Sequence, residues 1–169
     1  VGKDSIKVLD ETFYKTELFT RDFKIETPQG DLNWNKGYYY QSDEGAVSII
    51  NGDVIGTING MELNSRDNIA FLSSIDSTLE FECHSPMPSY TIAQLKSFQD
   101  EVNNQIRTNA YKEVTLYWEL RNDMIAAKGG AQNAVDFITA VFNVVQGIYK
   151  KDGIFIKLAG IYAWTSADP

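Results

Sequence analysis

A chain of 169 residues, 43% hydrophobic and 22% charged, has the length for one core, or for one core and a satellite lobe. Its net charge of -8 argues against nucleic acid and anionic membranes as partners, because both require a basic surface; no apolar run reaches the length of a membrane span. A single cysteine excludes an internal disulfide framework.

The chain begins at Val1 with no visible signal peptide, which points to processing or trimming. Residues 1–35 read as short strands and turns anchored by Phe13, Tyr14, Leu18, Phe19, Phe23 and Ile25. Thr27-Pro28-Gln29-Gly30-Asp31 is a reversal signal. Residues 37–82 read as a β meander: Gly37–Gln41, Ala46–Ile50, Val54–Ile58, Met61–Leu63, Ile69–Leu72 and Thr78–Phe81. Asn51-Gly52 and Asn59-Gly60 mark tight hairpins, since both residue types tolerate positive φ.

His84-Ser85-Pro86-Met87-Pro88-Ser89 forms a boundary, because its prolines resist both helix and sheet. An amphipathic connecting helix follows, carrying Ile92, Leu95, Phe98, Val102 and Ile106. Val114–Leu120 is β-branched and aromatic, hence a strand. Gly129-Gly130 breaks the chain before a helix with apolar residues at Ala134, Val135, Ile138, Val141, Phe142, Val145, Ile148 and Tyr149. Phe137, Ala140 and Val144 widen that face, so the helix is expected to pack on more than one side. Asp152-Gly153 ends it, and a strand runs from Ile154 to about Trp164. Strand, helix, strand makes a βαβ unit with parallel strands. The fold class expected is therefore α+β: an antiparallel β-rich lobe (1–88), a connecting helix (89–112) and a βαβ unit (113–169).

Candidate chemistry is sparse. Glu119, Asp123 and Asp136 flank the first strand and the helix, but lack the Asp-x-Asp spacing of a calcium loop, and solvated surface is the better reading. Asp43-Glu44 and Asp67 read as loop charges. Gly129-Gly130 is too short for a phosphate fingerprint and reads as a tight turn. Trp34, Tyr38, Tyr39, Tyr40, Tyr117, Trp118, Tyr162 and Trp164 are candidates to line a carbohydrate or peptide groove, although strand alternation sends about half of them into a core.

Lys128-Gly129-Gly130, the helix closing on Val145-Gln146-Gly147-Ile148-Tyr149, Asp152-Gly153-Ile154 and Trp164-Thr165-Ser166-Ala167-Asp168-Pro169 together resemble the start of the catalytic domain of secreted bacterial reprolysin-like zinc metallopeptidases. The tyrosine strand and the two strands after it are similar to the propeptide that precedes such domains. Metzincins bind zinc through a His-Glu-x-x-His helix and a third histidine; this chain has His84 alone and stops at Pro169.

The resemblance thus implies an inactive fragment of a secreted endopeptidase, with 1–88 as an inhibitory propeptide-like region. Zinc would belong to the full-length parent, where it activates water with a glutamate as general base. The remainder of that chain is the expected partner, and peptides are the parent's substrate. Cys83 is either a cysteine-switch ligand to that zinc or a thiol behaving as a small hydrophobe. His84 reads as an exposed turn histidine. The rival reading is a non-enzymatic secreted binding or adhesion module with a metzincin-like half-fold. A truncated sheet would leave an unpaired edge and favour homo-oligomers, whereas a self-sufficient domain would cover that edge with residues 1–110.

Overall fold

The computed structural model describes residues 3–66, 69–74 and 113–166. Along them run strands β1 (Ser5–Val8), β2 (Glu11–Lys15), β3 (Phe19–Thr27), β4 (Gly30–Asp31), β5 (Tyr38–Ser42), β6 (Gly45–Ile50), β7 (Asp53–Ile58), β8 (Met61–Arg66) and β9 (Ile69–Ser74). After residue 112 come β10 (Glu113–Leu120), helices α1 (Asn122–Ala127) and α2 (Ala131–Lys151), and β11 (Phe155–Ala163). Among the described residues no helix is long and apolar enough to cross a membrane.

The first sheet is antiparallel, in the order β1-β2-β5-β6-β7-β8-β9. Its central hairpins form where the Asn-Gly pairs stand. Asn51 and Gly52 have φ of 54° and 94°, and Asn59 and Gly60 have 51° and 73°. That left-handed backbone matches the twist of the flanking strands and brings Ile50 opposite Asp53 and Ile58 opposite Met61. The sheet curls. Phe13, Tyr40, Val47, Ile58 and Leu63 meet on its inner side, with Ile6 and Val8 of β1 packed against them.

The second sheet has the order β10-β11-β3-β4. β10 and β11 pair in parallel around the intervening helices, as a βαβ unit requires. β11 is mostly buried, so both its edges need a partner. β10 takes one edge and β3, also parallel, takes the other.

Helix α2 lies between the sheets, packed on β5, β6 and β7 on one side and on β11 on the other. Its widened apolar face serves this double burial. Phe142 meets Trp118 edge-on at 5.2 Å, while Val135, Ala140 and Phe142 share one core with Ile156, Leu158 and Ile161. At its C-terminus Gly153 N–H donates to Lys150 O and Ile154 N–H to Tyr149 O, with Gly153 at φ 75°. This is a Schellman cap at the Asp152-Gly153 stop.

The α+β expectation is overturned. Of the described residues 53% are in strands and 22% are helical, in a β-rich architecture with a curled antiparallel sheet. The physical reason is non-local pairing. β3, from the N-terminal β-rich stretch, leaves that sheet to complete the one containing β10 and β11, so the strands do not segregate from the βαβ unit. Thr78–Phe81, Cys83, His84, Asp67, the proline pair and the expected helix after Ser89 lie outside the described residues.

Candidate ligand-binding surface

The solvent side of the four-stranded sheet is built by register. Residues paired across strands share a face, and residues two apart along a strand share it too. Tyr117, Gly160 and Lys24 form one row; Glu119, Tyr162 and Glu26 form the next. A register shift between Leu158 and Gly160 changes the parity of β11. Ile156, Leu158, Ile161 and Ala163 therefore all point inward, and Gly160 and Tyr162 point outward. Trp164 continues the outward row past the strand end.

Gly160 is the key to the first row. A Cβ there would stand 2.7 Å from Tyr117 Cε2, so the missing side chain lets the Tyr117 ring lie across β11. Its hydroxyl donates to Glu26 Oε2 at 3.0 Å. Lys24 Nζ donates to the other oxygen of Glu26 at 2.6 Å. These two donors, Lys24 foremost, hold the Glu26 carboxyl below the usual carboxylate range, and Glu26 in turn raises Lys24. Half of Tyr117 is exposed, yet loss of water around its hydroxyl, followed by the Glu26 hydrogen bond, pushes that hydroxyl up to about 12.

In the second row Tyr162 and Trp164 pack with ring centroids 4.6 Å apart. Trp164 Nε1 donates to Glu119 Oε2 at 3.3 Å. Its backbone is tied to the βαβ turn: Trp164 N–H donates to Leu120 O and Asn122 Nδ2 donates to Trp164 O. Thr165 Oγ1 donates to Gln29 Oε1. The result is three aromatic rings on one face, two of which, Tyr117 and Trp164, have their polar edges held by carboxylates, while Tyr162 packs on Trp164. Lys157 and Glu113 pair at 2.8 Å on the same sheet, as Lys24 and Glu26 do.

The other candidates are dispersed. Trp34 Nε1 and Asn51 Nδ2 donate to the two oxygens of Asp136 at 2.6 and 2.9 Å, so that carboxylate pins β-strand connections to α2. Asp123 accepts from Met124 N–H and pairs with Arg121 at the start of α1. Glu119 alone of the three reaches the aromatic face. Among the described residues no group of three His, Cys, Asp or Glu could hold a metal. Gly129 and Gly130 join α1 to α2 as a turn, both at positive φ, with Gly130 N–H donating to Ile125 O. Asp43 and Glu44 sit in the exposed β5–β6 turn. Tyr39 and Tyr40 are buried, Trp34 packs on Phe19 and Phe23, Trp118 faces α2, and Tyr38 is exposed on the other sheet.

Sequence reasoning missed Lys24, Glu26 and Gly160 as parts of this face. Gly160 within a strand pattern was the available signal, since such a glycine marks a bulge or a close approach. Lys24 and Glu26 carried none, because the strand partners Gly160 and Tyr162 that place them on this face are remote in sequence. No family model matches this chain, and no curated protein or solved structure matches it.

Proposed function

We propose that this chain is a non-enzymatic binding module whose ligand, a neutral hydroxyl-rich molecule such as an oligosaccharide, stacks on Tyr117, Tyr162 and Trp164. The observation that carries this reading is the Tyr117 ring fixed across Gly160 by Glu26, beside the Tyr162–Trp164 pair. Rings held in place before binding lose little freedom on contact. Sugar C–H faces fit such rings, and the carboxylates Glu26 and Glu119 accept from hydroxyls. Paired opposite charges on the sheet favour a neutral ligand over a charged peptide.

The pairing of β3 with β11 supports a module rather than half of a catalytic domain, because residues before position 110 cover the β11 edge, although β10 is the terminal strand among the described residues. The test is retention on immobilised neutral polysaccharides. Wild type is expected to be retarded and Trp164→Ala to elute freely. Equal elution of both would overturn the reading.

A further inference from the structure

Among the described residues β10 is the terminal strand of the four-stranded sheet, so one of its edges pairs with β11 and the other is open. Glu113, Val114, Thr115, Tyr117 and Glu119 are exposed along it. An open edge presents unpaired N–H and C=O groups, which template another strand. β10 lacks the usual obstructions: its eight residues include no proline, glycine or lysine. The irregularity in its pairing places the extra residue, Ala159, in β11, so β10 itself runs unbroken.

The edge is complementary to itself at one register. Glu113, Thr115, Tyr117 and Glu119 alternate on the solvent face, and Val114, Leu116, Trp118 and Leu120 on the helix face. Arg121 keeps an extended backbone, with φ -69° and ψ 153°, and continues the solvent-face row. Directly opposed residues of an antiparallel pair share a face. Centring two copies on Tyr117 sets Glu113 against Arg121 of the second copy and Thr115 against its Glu119. On the helix face it sets Val114 against Leu120 and Leu116 against Trp118. Two-fold symmetry makes each of these contacts twice. Tyr117 itself stands at the axis, where its ring leans over Gly160 toward Glu26 and away from the seam.

Neighbouring registers fit less well. Centring on Leu116 opposes Glu113 to Glu119, which is repulsive. Centring on Trp118 leaves Glu113 and Val114 opposite helix α1 rather than a strand. A half-step between these centres turns the helix face of one copy to the solvent face of the other. The ion pairs already present leave the ends of the seam able to engage. Arg121 and Asp123 are 3.5 Å apart and both largely exposed, an arrangement that contributes little. Glu113 meets Lys157 through Oε2 alone, and a carboxylate accepts from several donors.

We propose that the occupant of this edge is a second copy of the chain, joined antiparallel through β10 about Tyr117, so that two four-stranded sheets become one continuous sheet. The pairing rests on the strand edge and stands apart from the sugar reading.

The experiment is sedimentation equilibrium of the full chain between about 1 μM and about 500 μM. The mass is expected to rise with concentration from 19.0 kDa toward twice that value. Glu113→Arg and Arg121→Glu each oppose like charges at both ends of the seam, and each should weaken association by about tenfold or more. The double variant restores opposite charges and should recover association to within about threefold of wild type. Both positions are exposed, so circular dichroism should be unchanged, and either single variant carries the test if the other misfolds. A wild type that stays at 19.0 kDa throughout, association unchanged in the folded single variants, or a double variant no better than the singles would overturn the proposal.

Discussion

Gln41 Nε2 donates to both the backbone carbonyl and the Oδ1 of Asn143, at 3.1 and 3.2 Å, across 102 residues of sequence. Asn143 answers by donating Nδ2 to Val47 O and Ser48 Oγ, both at 3.1 Å. The helix thus reaches the curled sheet through hydrogen bonds as well as apolar contact, and the pairing fixes its register. Asn143→Leu should remove that answer and leave Ser48 Oγ short of a partner, while Gln41 Nε2 keeps the Asn143 backbone carbonyl and Gln146 Oε1. At a typical penalty for a buried unsatisfied group, the loss is about 1–3 kcal/mol. Urea unfolding monitored by tryptophan fluorescence measures it, and a loss below about 0.5 kcal/mol would show that the network is dispensable.

The curl of the first sheet depends on close backbone approach at Gly56. A Cβ at that position would stand 2.1 Å from Ala46 O, an atom of a neighbouring strand that cannot swing aside. Gly56→Ala is therefore expected to destabilise by about 3 kcal/mol or more, as overpacking of backbone does. Gly147→Ala, at a position with room for a methyl, is expected to stabilise by about 1 kcal/mol. Parallel thermal melts of the two variants should move in opposite directions.

At Gly160 the obstructing group is a side chain. Gly160→Ala should displace the Tyr117 ring and break its bond to Glu26 rather than unfold the sheet. The Tyr117 hydroxyl, held up to about 12, should then fall toward the ordinary tyrosine value. Alkaline absorbance titration, with Tyr117→Phe used to assign the transition, follows that shift.

The same hydroxyl predicts an alkaline dependence of stability. Its folded pKa lies above its unfolded value, so its contribution is complete below about pH 10 and is lost as pH rises toward 12. Burial likewise raises Tyr39, so the comparison must be between wild type and Tyr117→Phe. The wild type should lose more stability than the variant between about pH 10 and 12. Glu26 has the opposite sign: its lowered carboxyl gives stability that disappears as pH falls below the ordinary glutamate value, and Glu26→Gln should flatten the acid limb.

Local signals in the sequence were legible where the physics is local. Asn51-Gly52 and Asn59-Gly60 specify hairpins through their own backbone preference, and Asp152-Gly153 specifies a helix end. The breadth of apolar residues on α2 announced burial on two sides. By contrast Leu9 takes φ 54° in the β1–β2 hairpin, where no Asn-Gly pair marks the turn and Asp10 is the one turn-forming residue. Helix α1 was hidden because its six residues are too few for periodicity to show. Asn143 and Gln146 gave no sign of burial, since polar residues on a helix ordinarily face water and these are buried only because Gln41, Glu17 and Ile156 offer partners. The entry of β3 beside β11 overturned the expected fold class, and nothing in either strand alone encodes that neighbour. The metallopeptidase resemblance rested on short segments of 113–169, and no family model, curated protein or solved structure identifies it.

The proposed stacking of neutral sugars on the solvent side of β10, β11 and β3 is open to direct measurement. The most direct measurement is a glycan-array screen of wild type and the Tyr162→Ala, Trp164→Ala double variant, followed by calorimetric titration of the best neutral oligosaccharide. Saturable binding by wild type is expected, with a loss of about tenfold or more in the double variant at unchanged circular dichroism. No neutral glycan bound by wild type, or equal affinity in the folded double variant, would contradict it.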